Sequence, residues 1–267
     1  MEKITFNPAV GVRTYERIVD QVEEALLNGQ LRAGDHLPSE RMMMEQFDVS
    51  RSTVREALRV LESRGLLELR PGGRSGPRII RPSPKLFERD FTHMVRLGES
   101  RVSDLVQLRM GIDGTACSIA AHVATPADIA MLRELLAAME DLVDADAEEF
   151  ARADAALHDG IWGLTGNELL IAAGRAVSDS IVQLIAAELR HDETAGTKST
   201  NVPLQSNAGH SIEDAQHDSL RRDRMLVNLI EAGDGHEAGV WIRRSLWERF
   251  ADRVSPQEKE ILRSLAH

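Results

Sequence analysis

Two groups of side chains have residue types and spacings that suit specific chemistry. Three arginines, Arg51, Arg55 and Arg59, recur every four residues, so a helix would carry them on one face. Asp154 and His158 are also four residues apart, so a second helix would present a carboxylate beside an imidazole. An arginine face suits DNA phosphates and guanine edges. A carboxylate–imidazole pair suits a divalent metal or a polar ligand. The sequence therefore predicts two sites with different partners.

The charges are distributed unevenly along the chain. The formal net charge is −11, which by itself argues against a nucleic-acid partner. Residues 1–82, however, carry 13 Lys+Arg against 12 Asp+Glu, and the segment 50–81 has eight arginines and three acidic residues. The remaining residues carry 19 basic and 31 acidic side chains. A basic patch on an otherwise acidic protein is compatible with DNA binding at one end.

The composition excludes several classes of protein. A content of 42% hydrophobic and 28% charged residues is typical of a globular chain. The single cysteine, Cys117, allows no internal disulfide, and its apolar neighbours predict a small buried side chain. No apolar run approaches the ~20 residues that a bilayer span requires, and no signal-peptide pattern is present. We therefore expect a cytoplasmic protein with no membrane partner.

Periodicity and turn residues predict three helices and a β-hairpin in the first 82 residues. Ser39 and Ser50 are placed to cap the second and third helices, and a glycine-rich turn separates two short apolar segments. The predicted helices cover 14–27, the segment from the Ser39 cap to 47, and 51–64, and the predicted strands cover 66–69 and 78–80. Three helices followed by a hairpin form a winged helix-turn-helix.

The rest of the chain is predicted to be helical. The sequence Pro-Ser-Pro at 82–84 marks a domain boundary, which divides the chain into 1–82 and 83–267. Ser103 and the pair Thr125-Pro126 are helix start signals, and 192–211 is irregular. The predicted helices cover 85–97, 104–123, 126–143, 147–164, 167–191, 212–232, 235–253 and 256–265. The predicted fold is mostly α, a winged helix-turn-helix followed by an all-α antiparallel bundle.

The predicted DNA contacts lie at the start of the third helix, on the helix before it and in the wing. Arginine can donate two hydrogen bonds to guanine O6 and N7, and short hydroxyl side chains suit phosphates or base edges. Glycines 72, 73 and 76 would allow a tight wing tip. The candidate contacts are Arg41, Arg51, Ser52, Thr53, Arg55, Arg74 and Arg78. The alternative is that these arginines only make a small domain soluble.

Several segments resemble known regulators. The sequences LPSER at 37–41, VSRSTVREAL at 49–58 and LESRGL at 61–66 resemble the signature of GntR-family transcription regulators. Segments at 105–113, 154–158, 166–170 and 232–238 are similar to the helical FCD-type effector domain of the FadR subgroup. The resemblance implies that Arg41, Arg51 and Arg55 contact DNA, with Thr53 and Gly73 as lesser contacts. The wing, at 72–77, is longer and more polar than is usual in the family.

The resemblance also implies a metal site. In many such domains a carboxylate and three histidines hold a divalent metal, which helps to bind a carboxylate effector. Asp154 and His158 match the first two positions, whereas Asp223 and Ser245 stand where the other two histidines are expected. A retained site would hold zinc, nickel or manganese. The alternatives are a metal-free pocket and a surface pair. Further candidate ligands that no spacing supports are His191, His210 and His217.

These observations together predict a regulator. Arg109 would bind an anionic effector through its planar donors, unless it only forms a surface ion pair with Asp113, four residues on. We expect a ligand-responsive regulator, most often a repressor, that binds a palindromic operator as a homodimer. Its effector would be a small anionic metabolite held by Arg109, Asp154, His158 and Asp223. The alternatives are a ligand-independent or partner-controlled regulator and an all-helical metalloenzyme.

Overall fold

The computed structural model describes residues 14–69, 76–98, 100–143, 147–194 and 212–267. The chain divides into two compact units, Met1–Leu86 and Phe87–His267. The described residues form eleven α-helices, one 3₁₀ turn and a two-stranded sheet, so the prediction of a mostly α fold is confirmed. Within these ranges no helix is both long and apolar enough to cross a membrane.

The first unit is a three-helix domain with a hairpin. Its elements are α1 (Thr14–Leu27), α2 (Glu40–Phe47), α3 (Arg51–Ser63), β1 (Leu67–Glu68) and β2 (Arg78–Ile79). Ser39 accepts a hydrogen bond from the backbone N–H of Met42, and Ser50 accepts one from that of Thr53, so both predicted caps are confirmed. The core is formed by apolar side chains of all three helices and both strands.

The hairpin is joined to the chain segment before α2. β1 and β2 are antiparallel, and His36 forms a further bridge with Arg78, which the sequence analysis did not predict. A side chain at Gly76 would place its Cβ 2.0 Å from the carbonyl oxygen of Leu37 and 2.6 Å from that of Pro38. Glycine is thus required here by close backbone approach. The predicted contacts Gly73 and Arg74 lie outside the described residues.

The second unit is an all-α bundle around one central helix. Its elements are α4 (Pro84–Leu97, which begins in the first unit), α5 (Val102–Val123), α6 (Pro126–Glu140), α7 (Ala147–Leu164), α8 (Glu168–Thr194), α9 (Ile212–Glu231), α10 (Gly235–Phe250), a 3₁₀ turn (Ala251–Arg253) and α11 (Pro256–Leu265). α5 packs against α7, α8, α9, α10 and α11. Because it is surrounded, α5 buries residues on most of its circumference, including Cys117, as predicted.

The residues at which helices begin in this unit can be compared with the predicted helix start signals. Thr125 caps α6 and Pro126 is its first residue, as predicted. The prediction for Ser103 is wrong: α5 begins at Val102, and the Ser103 hydroxyl is buried and donates to Glu258 Oε1 at 2.7 Å. α8 continues to Thr194, so the predicted irregular segment cannot begin at 192, and 195–211 lies outside the described residues.

Candidate DNA-binding surface and effector site

The start of α3 presents arginine side chains to solvent. The side chains of Arg51 and Arg55 are 69% and 58% exposed, and that of Arg41 on α2 is 80% exposed. The opposite side of α3 buries Val54, Ala57, Leu58 and Leu61 in the core of the first unit. The apolar stripe thus fixes the rotation of α3 about its own axis and leaves its arginine side chains exposed to solvent.

Acidic side chains form ion pairs with these arginines. Glu40 accepts a hydrogen bond from Arg51 Nε at 2.9 Å with one oxygen, and its other oxygen lies 3.5 Å from Arg55 Nε. Arg41 pairs with Glu45 at 2.8 Å along α2. Glu40 could not be predicted from spacing, because it lies 11 residues before Arg51 and on another helix.

Hydroxyl groups cluster at the N-terminus of α3. The Ser50 hydroxyl lies 2.8 Å from that of Ser52 and 2.9 Å from that of Thr53. Ser52 is exposed and Thr53 is half-buried. Free backbone N–H groups and hydroxyls at a helix N-terminus are good donors to phosphate. This end of α3 therefore offers phosphate donors beside the two arginines.

The second unit contains a buried cluster of ionisable side chains. One ligand atom each from Asp154, His158 and Asp223 lies within 4.8 Å of the others. Their exposed fractions are 8%, 4% and 5%, so the alternative of a surface pair is wrong. α7 supplies the first two residues and α9 supplies Asp223.

The hydrogen bonds around this cluster are incomplete. Ser219 donates to Asp154 Oδ1 at 3.0 Å, and Arg249 Nη1 lies 3.9 Å from Asp154 Oδ2. His158 Nε2 lies 3.8 Å from Asp223 Oδ1. Asp223 Oδ2 is buried and has no hydrogen-bond partner among the described residues. The amide nitrogen of Gln216, seven residues before Asp223 and so on the same face of α9, is also buried without a described partner.

Burial and mutual charge set the protonation of the cluster. Burial and the negative charge of Asp154 raise the pKa of Asp223 well above its ordinary value. Burial lowers the pKa of His158, against the opposing charge of Asp154. Burial alone would raise the pKa of Asp154, but Arg249 and His158 lower it overall. Burial therefore favours the neutral imidazole of His158 and the protonated carboxyl of Asp223, unless a cation or proton donor faces them.

Arg109 lies beside this cluster in a buried ion pair. Its Nε donates to Asp113 Oδ2 at 3.0 Å, and Trp162 Nε1 donates to Asp113 Oδ1 at 2.9 Å. The Trp162 ring stacks on His158 with centroids 6.2 Å apart. The predicted pairing of Arg109 with Asp113 thus exists, but it is buried and not on the surface. The guanidinium also contributes to the lowered pKa values of Asp154 and His158.

The cluster fits a divalent cation, although with fewer nitrogen ligands than expected. Asp154, His158 and Asp223 provide two carboxylates and one neutral imidazole, and Asp223 Oδ2 lacks a described partner. Three protein ligands leave positions open for a ligand molecule. Ser245 is buried on α10 and is a poor ligand. His217 is exposed on α9 and is not in the cluster; the side chain of His191 and all of His210 lie outside the described residues.

Known protein families match both the first unit and the second unit of the chain. Residues 14–76 match the family model "Bacterial regulatory proteins, gntR family", and residues 104–247 match the FCD domain. The HTH-type transcriptional repressor NanR of Edwardsiella tarda is 30% identical over 228 residues, which are 84% of this chain and 85% of that protein. The chain belongs to the GntR family. Its second unit carries an FCD domain.

Two further relatives bear on activity and fold. The Glc operon transcriptional activator of Escherichia coli is 28% identical over 180 residues, which are 66% of this chain and 70% of that protein. A solved GntR structure from Streptococcus agalactiae covers 90% of this chain and 100% of its own, with a TM-score of 0.53 and 23% identity, and so supports the fold alone. The chain is a DNA-binding transcription regulator. The enzyme alternative is set aside, because these relatives are regulators.

Proposed function

We propose that this chain is a ligand-responsive repressor that binds a palindromic operator as a homodimer and releases it when a small anionic metabolite binds the second unit. The observation that carries the ligand response is the buried Asp154–His158–Asp223 cluster, in which one carboxylate oxygen has no described partner. Repression is supported by the repressor NanR, which matches 84% of this chain.

The DNA contacts in this proposal are the exposed side chains around the start of α3. Arg51 and Arg55 would read guanines in the major groove, Arg41 would hold the backbone or a base, and Ser52 and Thr53 would bind phosphate. Gly73 and Arg74, which the sequence predicts to lie in the wing, would contact the neighbouring groove. One α3 helix reads one half-site, so a two-fold homodimer would read an inverted repeat.

The effector contacts follow from the cost of burying charge. Removing charged groups from water is unfavourable unless they are paired, and the cluster places two carboxylates side by side. A divalent cation held between these two carboxylates would offset this cost. Arg109, Arg249 and the half-buried Arg222 supply the positive charge that an anionic metabolite requires. A divalent metal, when bound by Asp154, His158 and Asp223, would supply a Lewis-acid position for a carboxylate.

Regulation requires that the effector binds two conformations unequally. A metabolite that binds better to a conformation with low operator affinity would shift the population toward it, and operator DNA would weaken metabolite binding by the same factor. The alternative of a ligand-independent regulator lacks this reciprocity.

The proposal is tested with the full-length protein in two steps. Selection from randomised DNA is expected to yield an inverted repeat. A panel of small hydroxy- and keto-acids is then screened for a rise in melting temperature, and each hit is titrated against the selected duplex. We expect a hit that weakens DNA binding in the wild type and not in Arg109→Ala. Single half-sites, or hits that leave DNA affinity unchanged, would contradict the proposal.

A further inference from the structure

We propose that Glu40 is a positioning residue for operator readout, because its one carboxylate holds the guanidinium groups of both Arg51 and Arg55. The inference rests on the proposed readout of DNA by these two arginines. It assigns a role to an acidic residue on a surface that must approach phosphates.

The geometry of Glu40 is fixed by the start of α2. Glu40 is the first residue of that helix, directly after the cap Ser39, and its side chain is 31% exposed. Its Oε2 accepts from Arg51 Nε at 2.9 Å and its Oε1 lies 3.5 Å from Arg55 Nε. The two oxygens therefore bridge two arginines that are one turn apart on α3.

The contacts with Glu40 do not use the terminal nitrogens of the two arginines. Each arginine makes its closest contact with Glu40 through Nε, the guanidinium nitrogen nearest the main chain, and not through a terminal Nη atom. The two side chains remain 69% and 58% exposed. Bidentate bonding to guanine O6 and N7 uses two adjacent N–H donors of one guanidinium. Glu40 can thus restrain the side chains without occupying the terminal donors.

Holding the two arginine side chains in place should change the selectivity for operator DNA more than the folding stability of the protein. Arginine has many rotamers, and ordering it only when DNA binds lowers affinity for the correct site. Exposed ion pairs contribute little to folding. The negative charge of Glu40 also repels phosphates and weakens sequence-independent binding. Loss of this charge should therefore weaken the discrimination between operator and unrelated DNA and, at the same time, strengthen binding to unrelated DNA.

The test compares Glu40→Gln with Glu23→Gln in the full-length protein. Glu23 is a matched control: it lies in the same unit, bonds Arg64 Nη1 across helices at 2.5 Å, and has a side chain that is 32% exposed. Anisotropy titrations at one salt concentration use a duplex that the wild type selects from randomised DNA and an unrelated duplex of equal length. Glu40→Gln should reduce the ratio of the two affinities by about tenfold and bind the unrelated duplex more tightly. Glu23→Gln should keep the wild-type ratio.

Three outcomes would overturn the inference or its basis. If Glu40→Gln binds both duplexes more tightly with an unchanged ratio, Glu40 is only a surface charge. If both glutamine variants lose the ratio equally, the cause is general destabilisation, which urea titrations would also show. Arg55→Ala separates the two proposals. If that variant keeps the ratio, the proposed arginine readout itself fails, whereas a lost ratio there with an unchanged Glu40→Gln refutes only the positioning role.

Discussion

Among single residues, Asp223 has the environment that most requires a partner. It is buried, its pKa is raised by burial and by Asp154, and its Oδ2 has no described hydrogen-bond partner. Such a carboxyl keeps a proton or faces a cation. Burial lowers the pKa of His158 and so favours the neutral imidazole, which can provide a nitrogen ligand to that cation.

We therefore expect the purified protein to hold one divalent cation per chain, which His158→Ala loses. The oxygen-rich ligand set should favour manganese more than a set with three histidines does, because carboxylates suit harder cations. The measurement is elemental analysis after dialysis against manganese, nickel or zinc followed by metal-free buffer. His236→Ala is the control, because His236 is exposed on α10 and outside the cluster.

A wild-type protein that retains none of the three metals would contradict this prediction. Asp223 would then keep its proton, and an effector would bind directly to the arginines. Equal metal content in His158→Ala and the wild type would contradict it as well, because the metal would then be bound elsewhere.

The sequence could predict only part of this cluster. The spacing of Asp154 and His158 placed both on one helix face, and the family resemblance indicated Asp223. Ser219 lies 65 residues from its partner Asp154, and no pattern in one sequence joins positions on different helices. The spacing of Gln216 and Ser219 relative to Asp223 is a helical signal that could have been found.

At the scale of elements, local signals predicted most helices and failed where a tertiary contact decided the residue. Ser39, Ser50 and Thr125 cap helices because their oxygens accept a nearby backbone N–H. Ser103 has the same chemistry, but its hydroxyl is used by Glu258 of α11, far along the chain. Arg101 and Asp104 form the helix start in its place.

Glu258 should make α11 sensitive to acid. A side-chain hydrogen bond with Ser255, one from the Ser103 hydroxyl and one from the Ser255 N–H at 2.9 Å together lower the pKa of this carboxylate from 4.5 to about 2. Because the folded pKa lies below the unfolded one, its stabilisation is present above pH 4.5 and is lost as the pH falls toward 2. We expect the urea midpoint of the wild type to fall more between pH 5 and pH 2 than that of Glu258→Gln, an interval of about three units around these pKa values.

The control for this experiment is Glu260→Gln on the same helix. Glu260 has a 77% exposed side chain and lies 4.0 Å from Arg263, so its loss should leave the acid dependence of the wild type unchanged. Parallel pH profiles for the wild type and Glu258→Gln would contradict the prediction, because ionisation of Glu258 would then not be linked to folding.

For the molecule as a whole, the charge distribution follows directly from the sequence, and the domain boundary at 82 stays a prediction. The first 82 residues are close to neutral with eight arginines in 50–81, and the acidic remainder disfavours DNA at other surfaces. The predicted boundary at 82 lies close to the division between Leu86 and Phe87. Pro84 does not interrupt structure there, since proline is favoured in the first turn of a helix and α4 begins with it.

The most direct test of the central claim is to repeat the selection from randomised DNA with Arg55→Ala. We expect the wild type to select an inverted repeat and the variant to lose the preference for one guanine in each half-site, at a cost of ~1–3 kcal/mol in operator binding. Binding of Arg55→Ala to unrelated DNA should fall only slightly. An unchanged motif with unchanged affinity would show that the exposed arginine face of α3 does not read the operator.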